Sequence, residues 1–306
     1  MSNAAAGVLK QYLEQLQVAG KSHIGVRPGV LSRLNQRRHS GADRGGQTRR
    51  LIAEEDSTPI VRPVATVVAP PPPVRERAPQ ATSILASQAK ILEVPGETKA
   101  EKLAALARIA ESSPEARSLG TLRETMVFAV GTPEAQIMFI GEAPGSEEER
   151  QQEPFVGPAG QKLTGIIAAM GLKRSDVYIS NICKFRPAME NQGYSNRAPN
   201  PAEMQTCLPY ILTEISIIRP QVMIALGATA ATGLGLSGPV SKLRGRFYEV
   251  QGIPTMVTFH PSYLLREEKL AGGGLQSKRQ VWEDMLQVME KAGLPISEKQ
   301  RGYFRK

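Results

Sequence analysis

A loop rich in glycine and acidic residues is the first stretch of the sequence whose residue types could do chemistry. It covers residues 141–157 and contains the carboxylate of Glu142 and the ring of Phe155. The apolar run 136–140 before it is typical of a buried strand, and residues 159–170 after it have the spacing of a helix. In open α/β sheets, ligands bind where strands end and helices begin. Such a loop taken alone is more often an ordinary turn with solvated acids, so its interpretation depends on its neighbours.

Single residues of interest also follow other predicted strands. Asn181 follows residues 177–180, Gly227 follows 221–226 and His260 follows 254–259. Each has a simpler interpretation, because a lone asparagine is usually a turn residue and a lone histidine is usually structural. However, the carboxyl ends of parallel strands lie along one edge of a sheet. We therefore expect these residues to converge with Glu142 and Phe155 in one crevice.

The side chains of this crevice suit a flat heterocycle with hydrogen-bond donors and acceptors on its edge. The Phe155 ring can stack on such a heterocycle, and the Asn181 amide can pair with a carbonyl and an adjacent ring N–H. His260 can stabilise charge that develops on a ring oxygen, and a carboxylate can orient water. The sequence thus favours an enzyme that acts on a heterocyclic base.

The composition bounds the class of protein. The chain has 306 residues, of which 41% are hydrophobic, and no apolar run reaches the ~18 residues that a membrane span needs. The first residues lack the apolar core of a signal peptide, which predicts a cytoplasmic protein. The two cysteines, Cys183 and Cys207, fit a reducing compartment and provide no disulfide framework.

The charge and composition divide the chain into segments. The formal charge is +9, and residues 1–95 hold 13 Lys or Arg against 7 Asp or Glu. Most of the basic excess therefore lies in the N-terminal segment, where it suits a polyanionic partner. We predict four segments: a short amphipathic helix over 1–20, a disordered, basic, proline-rich linker over 21–94, a folded domain over 95–294, and a basic tail over 295–306.

The predicted elements of the domain define its fold class. We predict helices over residues 99–110, 159–170, 201–218 and 276–292, strands over 125–130, 136–140, 177–180, 221–226, 245–250 and 254–259, and a long polar loop over 184–200. Alternation of strands and helices over ~200 residues is typical of an α/β fold. We expect a three-layer α/β/α sandwich with a central, largely parallel sheet.

Several motifs together resemble one known family. Residues 142–157 and 259–266 resemble the two signature motifs of the uracil-DNA glycosylase superfamily, in the form of its family 4. Further segments fit the same pattern: 180–184, 197–199, 207–209, 219–220, 225–227 and 281–284. The resemblance covers about residues 100–293. It implies a uracil-DNA glycosylase-like fold and DNA as the partner of a monomeric hydrolase in base-excision repair.

The resemblance also implies roles for the candidate residues. Such enzymes flip deoxyuridine out of the DNA stack and cleave its N-glycosidic bond. Phe155 would stack on uracil, Asn181 would read its edge, and His260 would hydrogen-bond the uracil oxygen that gains charge. The transition state resembles an oxocarbenium ion, which nearby carboxylates stabilise; the candidates are Glu142 and Glu148.

The remaining candidates surround these groups. Ala143 belongs to the substrate-binding loop and stands where other branches of the superfamily have aspartate. By resemblance, DNA contacts would come from Gly227, Ser262, Leu265 and Arg266. The last three belong to a segment that would press into the minor groove, where apolar wedges unstack bases.

One feature of the sequence departs from family 4. Its members usually hold a four-iron–four-sulfur cluster on four cysteines, and only Cys207 matches one of these positions. The other three are Pro114, Arg117 and Phe185, and Cys183 lies two residues from the last of them. One thiolate cannot hold such a cluster, so we predict no cofactor. Without that anchor, we expect the loop 184–200 to be mobile.

Two functions remain open at this point. The first is a uracil-DNA glycosylase that leaves an abasic site. The alternative is a catalytically weak DNA-binding or partner-binding protein that retains the glycosylase fold. The presence of Glu142, Phe155, Asn181 and His260 favours the enzyme.

Overall fold

The structure is a computed structural model that describes residues 89–304. The predicted helix over 1–20 and nearly all of the predicted linker lie outside the described residues. The helices are α1 Lys99–Glu111, α2 Pro114–Ser118, α3 Ser146–Gln151, α4 Pro158–Ala169, α5 Pro201–Ile218, α6 Gly227–Gly233, α7 Val240–Leu243, α8 Pro261–Glu267, α9 Leu275–Lys291 and α10 Glu298–Arg301. The strands are β1 Leu122–Met126, β2 Ala129–Gly131, β3 Ile137–Gly141, β4 Tyr178–Asn181, β5 Phe185–Pro187, β6 Val222–Leu226, β7 Phe247–Val250 and β8 Ile253–Thr258.

The central sheet has six strands in the order β2-β4-β3-β6-β8-β7. The four inner strands run parallel, and β2 and β7 pair antiparallel at the two edges. Strands β3 and β6 are buried along their whole length, as expected for parallel strands covered on both faces. The predicted α/β fold with a largely parallel sheet is confirmed.

Helices cover both faces of the sheet because side chains alternate along each strand. On β3, Met138 and Ile140 belong to a core shared with α1 and α5, whereas Ile137 and Phe139 belong to a core shared with α4 and α9. This alternation produces the expected three layers. It leaves the carboxyl ends of β3, β4, β6 and β8 along one edge.

The region before β3 differs from the prediction. The predicted strand over 125–130 is two strands, β1 and β2, separated by Val127, which is buried, and Phe128. Strand β1 pairs antiparallel with β5 in a separate two-stranded sheet. Residues 185–187, which we predicted as loop, therefore form a strand, because their partner lies about 60 residues earlier in the chain, out of reach of a local pattern.

Residues on both sides of the predicted domain, 95–294, pack against it. Before residue 95, Leu92 and Val94 pack against the core of α1 and α5, and the Leu92 amide donates to Thr213 Oγ1 at 2.9 Å. After residue 294, Trp282 Nε1 donates to the backbone oxygen of Gln300 at 2.8 Å, and Phe304 packs against the other core. Among the described residues, no helix is long and apolar enough to cross a membrane.

Candidate active site

A cavity of about 870 Å³ opens at the carboxyl edge of the sheet. It is lined by residues from the segments that follow β3, β4, β6 and β8. Eight of the predicted site residues line it together: Glu142, Ala143, Phe155, Asn181, Gly227, His260, Ser262 and Arg266. Glu148 also contributes to its wall, whereas Leu265 does not.

Asn181 ends strand β4 with its side chain buried at the back of the cavity. It is 2% exposed, and its Oδ1 has no hydrogen-bond partner within the described residues. The neighbouring strand position is Gly141, and a Cβ there would lie 2.3 Å from Asn181 Oδ1 and 2.4 Å from Phe155 Cζ. Gly141 thus lets the amide and the aromatic ring approach each other. A buried amide oxygen without a partner costs free energy, which a ligand N–H would offset.

Phe155 is held in an unusual backbone conformation beside this amide. The φ angle of Phe155 is 57°, in the left-handed region that residues other than glycine rarely adopt. The residue is 5% exposed. Arg174 fixes the conformation, with Nη1 donating to the Phe155 oxygen at 3.0 Å and Nη2 donating to the Pro154 oxygen at 2.8 Å. The ring centroid lies 5.8 Å from that of His260. The rings of Phe155 and His260 are therefore neighbours, and both line the same cavity.

Both carboxylate oxygens of Glu148 bind the backbone of the acidic loop. One carboxylate oxygen accepts from the Gly145 amide at 3.1 Å. The other accepts from the amides of Val156 and Gly157 at 3.1 and 2.9 Å. Because both oxygens bind backbone donors, Glu148 ties the two ends of the acidic loop together and holds the segment that carries Phe155. The expectation that Glu148 also orients water stays a prediction.

His260 caps the first turn of α8. Its Nδ1 accepts a hydrogen bond from the Ser262 amide at 3.1 Å and lies 2.8 Å from Ser262 Oγ. Burial, together with the charge of Arg266, lowers the pKa of His260 from 6.5 to about 4. Since the backbone N–H can only donate, Nδ1 is the acceptor and the proton of the neutral ring lies on Nε2. Gly227, at φ 93°, makes room for this ring, because a Cβ there would lie 3.1 Å from His260 Cβ.

Helix α8 separates the residues that we predicted for DNA contact. Ser262 and Arg266 are one helical turn apart and face the cavity of His260. Leu264 is buried in the core of α4 and α9, and Leu265 lines a separate cavity of about 460 Å³ beside Trp282. The helical rotation therefore turns Leu265 away from the His260 cavity, and its expected contact with DNA stays a prediction.

Sequence reasoning missed part of the cavity wall. Further lining residues come from the loop 184–200 and from the segments after β6 and β8: Asn196, Arg197, Ala198, Thr229, Ser241 and Tyr263. The polar composition of that loop was a signal. Its position at the cavity depends on the pairing of β1 with β5, which the sequence did not reveal.

The loop 184–200 has a polar anchor. Arg197 donates from Nη1 and Nη2 to the two carboxylate oxygens of Glu203, at 2.8 and 2.6 Å. It also donates to the backbone oxygens of Ala188 and Thr121 at 2.9 and 3.0 Å. These bonds tie the loop to α5 and to the segment before β1, which are the parts that a family cluster would join. Hydrogen bonds and an ion pair therefore anchor the loop in place of a covalent link, and the expectation that it is mobile stays a prediction.

The residues at the cluster positions do not fit an iron–sulfur cluster. Phe185 is 3% exposed and fills the core, and Arg117 is exposed and donates to the Glu111 oxygen at 3.2 Å. Cys183 and Cys207 are both buried, and a hydrogen bond between their thiols, with burial, raises the pKa of Cys183. The two thiols are therefore neighbours in the core.

Two thiols are half of the four that such a cluster needs. Over residues 89–304, no group of three or more His, Cys, Asp or Glu side chains is placed to hold a metal ion.

Comparisons with known proteins agree with this geometry. The family model described as "Uracil DNA glycosylase superfamily" matches residues 128–286, which include every predicted site residue. The chain is 42% identical over 147 residues to a type-4 uracil-DNA glycosylase of Thermotoga maritima, covering 47% of this chain and 73% of the relative. A type-4 uracil-DNA glycosylase of Archaeoglobus fulgidus is 38% identical, over 47% of this chain and 74% of the relative. One of Pyrobaculum aerophilum is 36% identical, over 49% of this chain and 78% of the relative. The chain therefore belongs to the uracil-DNA glycosylase superfamily.

Proposed function

We propose that this protein is a uracil-DNA glycosylase that hydrolyses the N-glycosidic bond of deoxyuridine in DNA and leaves an abasic site for base-excision repair. One observation carries the proposal: a single cavity holds an aromatic ring, a buried amide oxygen without a partner and a neutral imidazole. These groups come from the ends of different strands. Their combination matches the face and the edge of a uracil base.

Recognition of the base rests on Phe155 and Asn181. The Phe155 ring stacks on the flat face of uracil. Asn181 Oδ1 accepts the N3–H of uracil while its amide nitrogen donates to O4. The bond to N3–H supplies the partner that Asn181 Oδ1 lacks within the described residues. Cytosine has no hydrogen on N3 and carries an amino group at position 4, so both contacts would be mismatched.

Cleavage rests on His260 and Glu142. As the bond between C1′ and N1 breaks, its electron pair moves onto the uracil ring, and His260 Nε2–H donates to O2 where the charge develops. The sugar becomes oxocarbenium-like, and water adds to C1′. Among residues 89–304, the Glu142 side chain makes no hydrogen bond or ion pair, so its carboxylate remains available to orient that water and accept its proton. Glu148 contributes by holding the loop.

DNA reaches the cavity past an exposed arginine. Arg266 lies at the cavity wall and can contact a phosphate beside a flipped nucleotide. We propose that the enzyme acts as a monomer. The neighbouring Cys183 and Cys207 are free thiols, which supports action in a reducing compartment such as the cytoplasm.

The test is cleavage of a labelled duplex with one deoxyuridine. Alkali treatment after incubation should break the strand at the abasic site, and a duplex with thymidine at that position is the control. Asn181→Ala should lose most of the activity because the edge of the base is no longer read. Absence of product at enzyme excess, with retained binding to the uracil duplex, would support the alternative of a binding protein.

A further inference from the structure

The loop 184–200 presents an exposed aromatic ring next to the cavity. Tyr194 is 84% exposed, more than any other large hydrophobic side chain of the described residues. Asn196 and Arg197, which follow it closely, line the cavity. The loop also touches the acidic loop, since a Cβ on Gly145 would lie 2.9 Å from Asn196 Nδ2. The ring of Tyr194 therefore lies beside the route that DNA must take to the cavity.

A buried arginine fixes the backbone on both sides of this ring. Arg186 Nη2 donates to the backbone oxygens of Gly193 and Ser195 at 2.9 and 2.8 Å. Its Nε donates to Asn196 Oδ1 and its Nη1 to Glu149 Oε2, each at 2.9 Å. The Arg186 side chain is 5% exposed. The residues before and after Tyr194 are thus held by one guanidinium that is itself tied to the acidic loop.

Burial of Arg186 to hold the Tyr194 loop costs free energy, and contacts within the folded chain alone do not explain it. Burying a guanidinium removes its hydration, and the hydrogen bonds must compensate for that loss. Here those bonds hold a loop tip whose ring lies in solvent and buries almost no apolar area of its own. A rigid, pre-ordered aromatic ring at a binding surface lowers the entropy lost when a partner covers it. The geometry therefore indicates a partner for the Tyr194 ring.

We propose that Tyr194 stacks on a DNA base next to the flipped deoxyuridine, in the same strand. This inference rests on the proposed function. Flipping a nucleotide leaves the adjacent base with an uncovered face, and a protein ring can stack on any base because every base has a π-face. Arg266, an exposed residue on the wall of the same cavity, carries the cation that a phosphate of that strand would contact. Tyr194 would thus hold the strand while Phe155 receives the uracil.

The experiment compares Tyr194→Ala, Tyr194→Phe and a control, Tyr303→Ala, in the full chain. Tyr303 is 62% exposed and lines the other cavity, beside Trp282. Stacking on one base corresponds to a loss of about 5- to 100-fold in affinity when the ring is removed. For Tyr194→Ala we expect Kd and KM to rise by that factor, while turnover at saturating DNA stays nearly unchanged. Tyr194→Phe and Tyr303→Ala should bind as the wild type does.

A fluorescent base analogue locates the stacked base. Duplexes carry 2-aminopurine on the 5′ or the 3′ side of the deoxyuridine, and wild type and Tyr194→Phe should quench one of the two more strongly than Tyr194→Ala. Equal Kd and equal quenching for wild type and Tyr194→Ala would overturn the inference. A loss in Tyr194→Phe as large as in Tyr194→Ala would also overturn it, because the hydroxyl would then be the contact. Cleavage by the wild type tells this failure apart from failure of the proposed function.

Discussion

At the scale of the residue, the protonation state of His260 follows from its position at the start of α8. A backbone amide donates to Nδ1, so the imidazole can cap the helix only while that nitrogen carries no proton. Burial and the nearby Arg266 lower the pKa of His260 to about 4. The ring therefore presents a neutral N–H donor to the cavity at physiological pH. Such a donor binds weakly to a neutral carbonyl and more strongly to the charge that develops as the base leaves.

Replacement of His260 by alanine should lower turnover far more than DNA affinity. The loss of one donor to a developing oxyanion is worth ~10²–10³-fold in rate, whereas the ground state loses little because the hydrogen bond is weak there. Single-turnover cleavage and equilibrium binding to uracil DNA measure the two quantities. A loss of binding as large as the loss of rate would mean that His260 only supports the fold of α8.

The pKa of His260 also predicts how stability depends on pH. In the unfolded chain this histidine protonates below about 6.5, whereas in the folded protein it stays neutral down to about pH 4. Between these values the unfolded state binds more protons, so the free energy of unfolding falls as the pH falls through this window. Urea unfolding of wild type and His260→Gln between pH 4.5 and 7 tests this dependence.

The variant should show the shallower fall in stability. Asp284, whose pKa burial raises to about 6, has the opposite effect. It is present in both proteins and therefore cancels in the comparison. Parallel stability curves for the two proteins would contradict the lowered pKa of His260.

At the scale of the element, a buried ion pair joins the end of β4 to α5. Lys184 pairs with Glu214, and both side chains are fully buried. Lys184 Nζ also donates to Ser180 Oγ at 2.6 Å and to the backbone oxygen of Asn181 at 2.9 Å. Tyr178 donates its hydroxyl to Glu214 at 3.1 Å. The network lies directly behind the residue that we propose reads the uracil edge, so it positions Asn181 as well as stabilising the core.

Breaking this pair on one side should destabilise the protein more than removing both partners. Lys184→Met leaves Glu214 buried without its cation, which costs about 3–5 kcal/mol in comparable pairs. The double variant Lys184→Met/Glu214→Leu should recover much of that loss because no charge is left in the core. Urea unfolding of the two single variants and the double variant measures the coupling. Additive losses would show that the pair contributes no interaction of its own.

At the scale of the whole molecule, hydrogen bonds and packing join the loop 184–200 to α5 and to the segment before β1. These are the parts that the iron–sulfur cluster of family 4 would join. Arg197, with Glu203, ties the loop after β5 to the segment before β1, and Phe185 fills the adjacent core. These contacts are consistent with our prediction that the protein holds no cluster. They also hold the wall of the active-site cavity at the position where Arg197 lines it.

Our prediction that the protein holds no cluster implies that it is colourless. After anaerobic purification it should show no absorbance near 400 nm, and chelators should not change its activity. A cluster of this kind would supply about four iron atoms per chain, and iron at that stoichiometry would contradict the proposal. Arg197→Met is the companion variant: it should lower thermal stability and raise KM, because the loop then loses its tie to Thr121 and Glu203.

Truncation separates the catalytic domain from the basic N-terminal segment. A protein that starts at residue 89 should keep its turnover and bind DNA less tightly at low salt, because residues 1–88 carry much of the basic excess and phosphate contacts depend on salt. A start at residue 95 should in addition lower the free energy of unfolding, because Leu92 and Val94 no longer pack. Loss of activity at saturating enzyme in the longer form would place part of residues 1–88 in the fold.

The sequence by itself determined the order of the main strands and helices and the convergence of Glu142, Phe155, Asn181 and His260. These features follow from local apolar periodicity and from the rule that parallel strands end along one edge. The helix over residues 201–218, for example, has the predicted bounds because its cap at Asn200 and the proline after it are local signals.

Only the tertiary structure decided what each polar side chain does. Glu148 binds backbone amides up to nine residues away, Leu265 turns from the cavity, and Cys183 meets Cys207, although neighbouring sequence does not specify any of these contacts. The pairing of β1 with β5 likewise joins segments that are distant in sequence. The hydrogen bonds of Arg186 to the backbone around Tyr194 lie in a polar loop without periodicity. Hydrophobic patterns specify which face of an element is buried, whereas the partners of a polar group depend on which atoms the completed fold brings within hydrogen-bond distance.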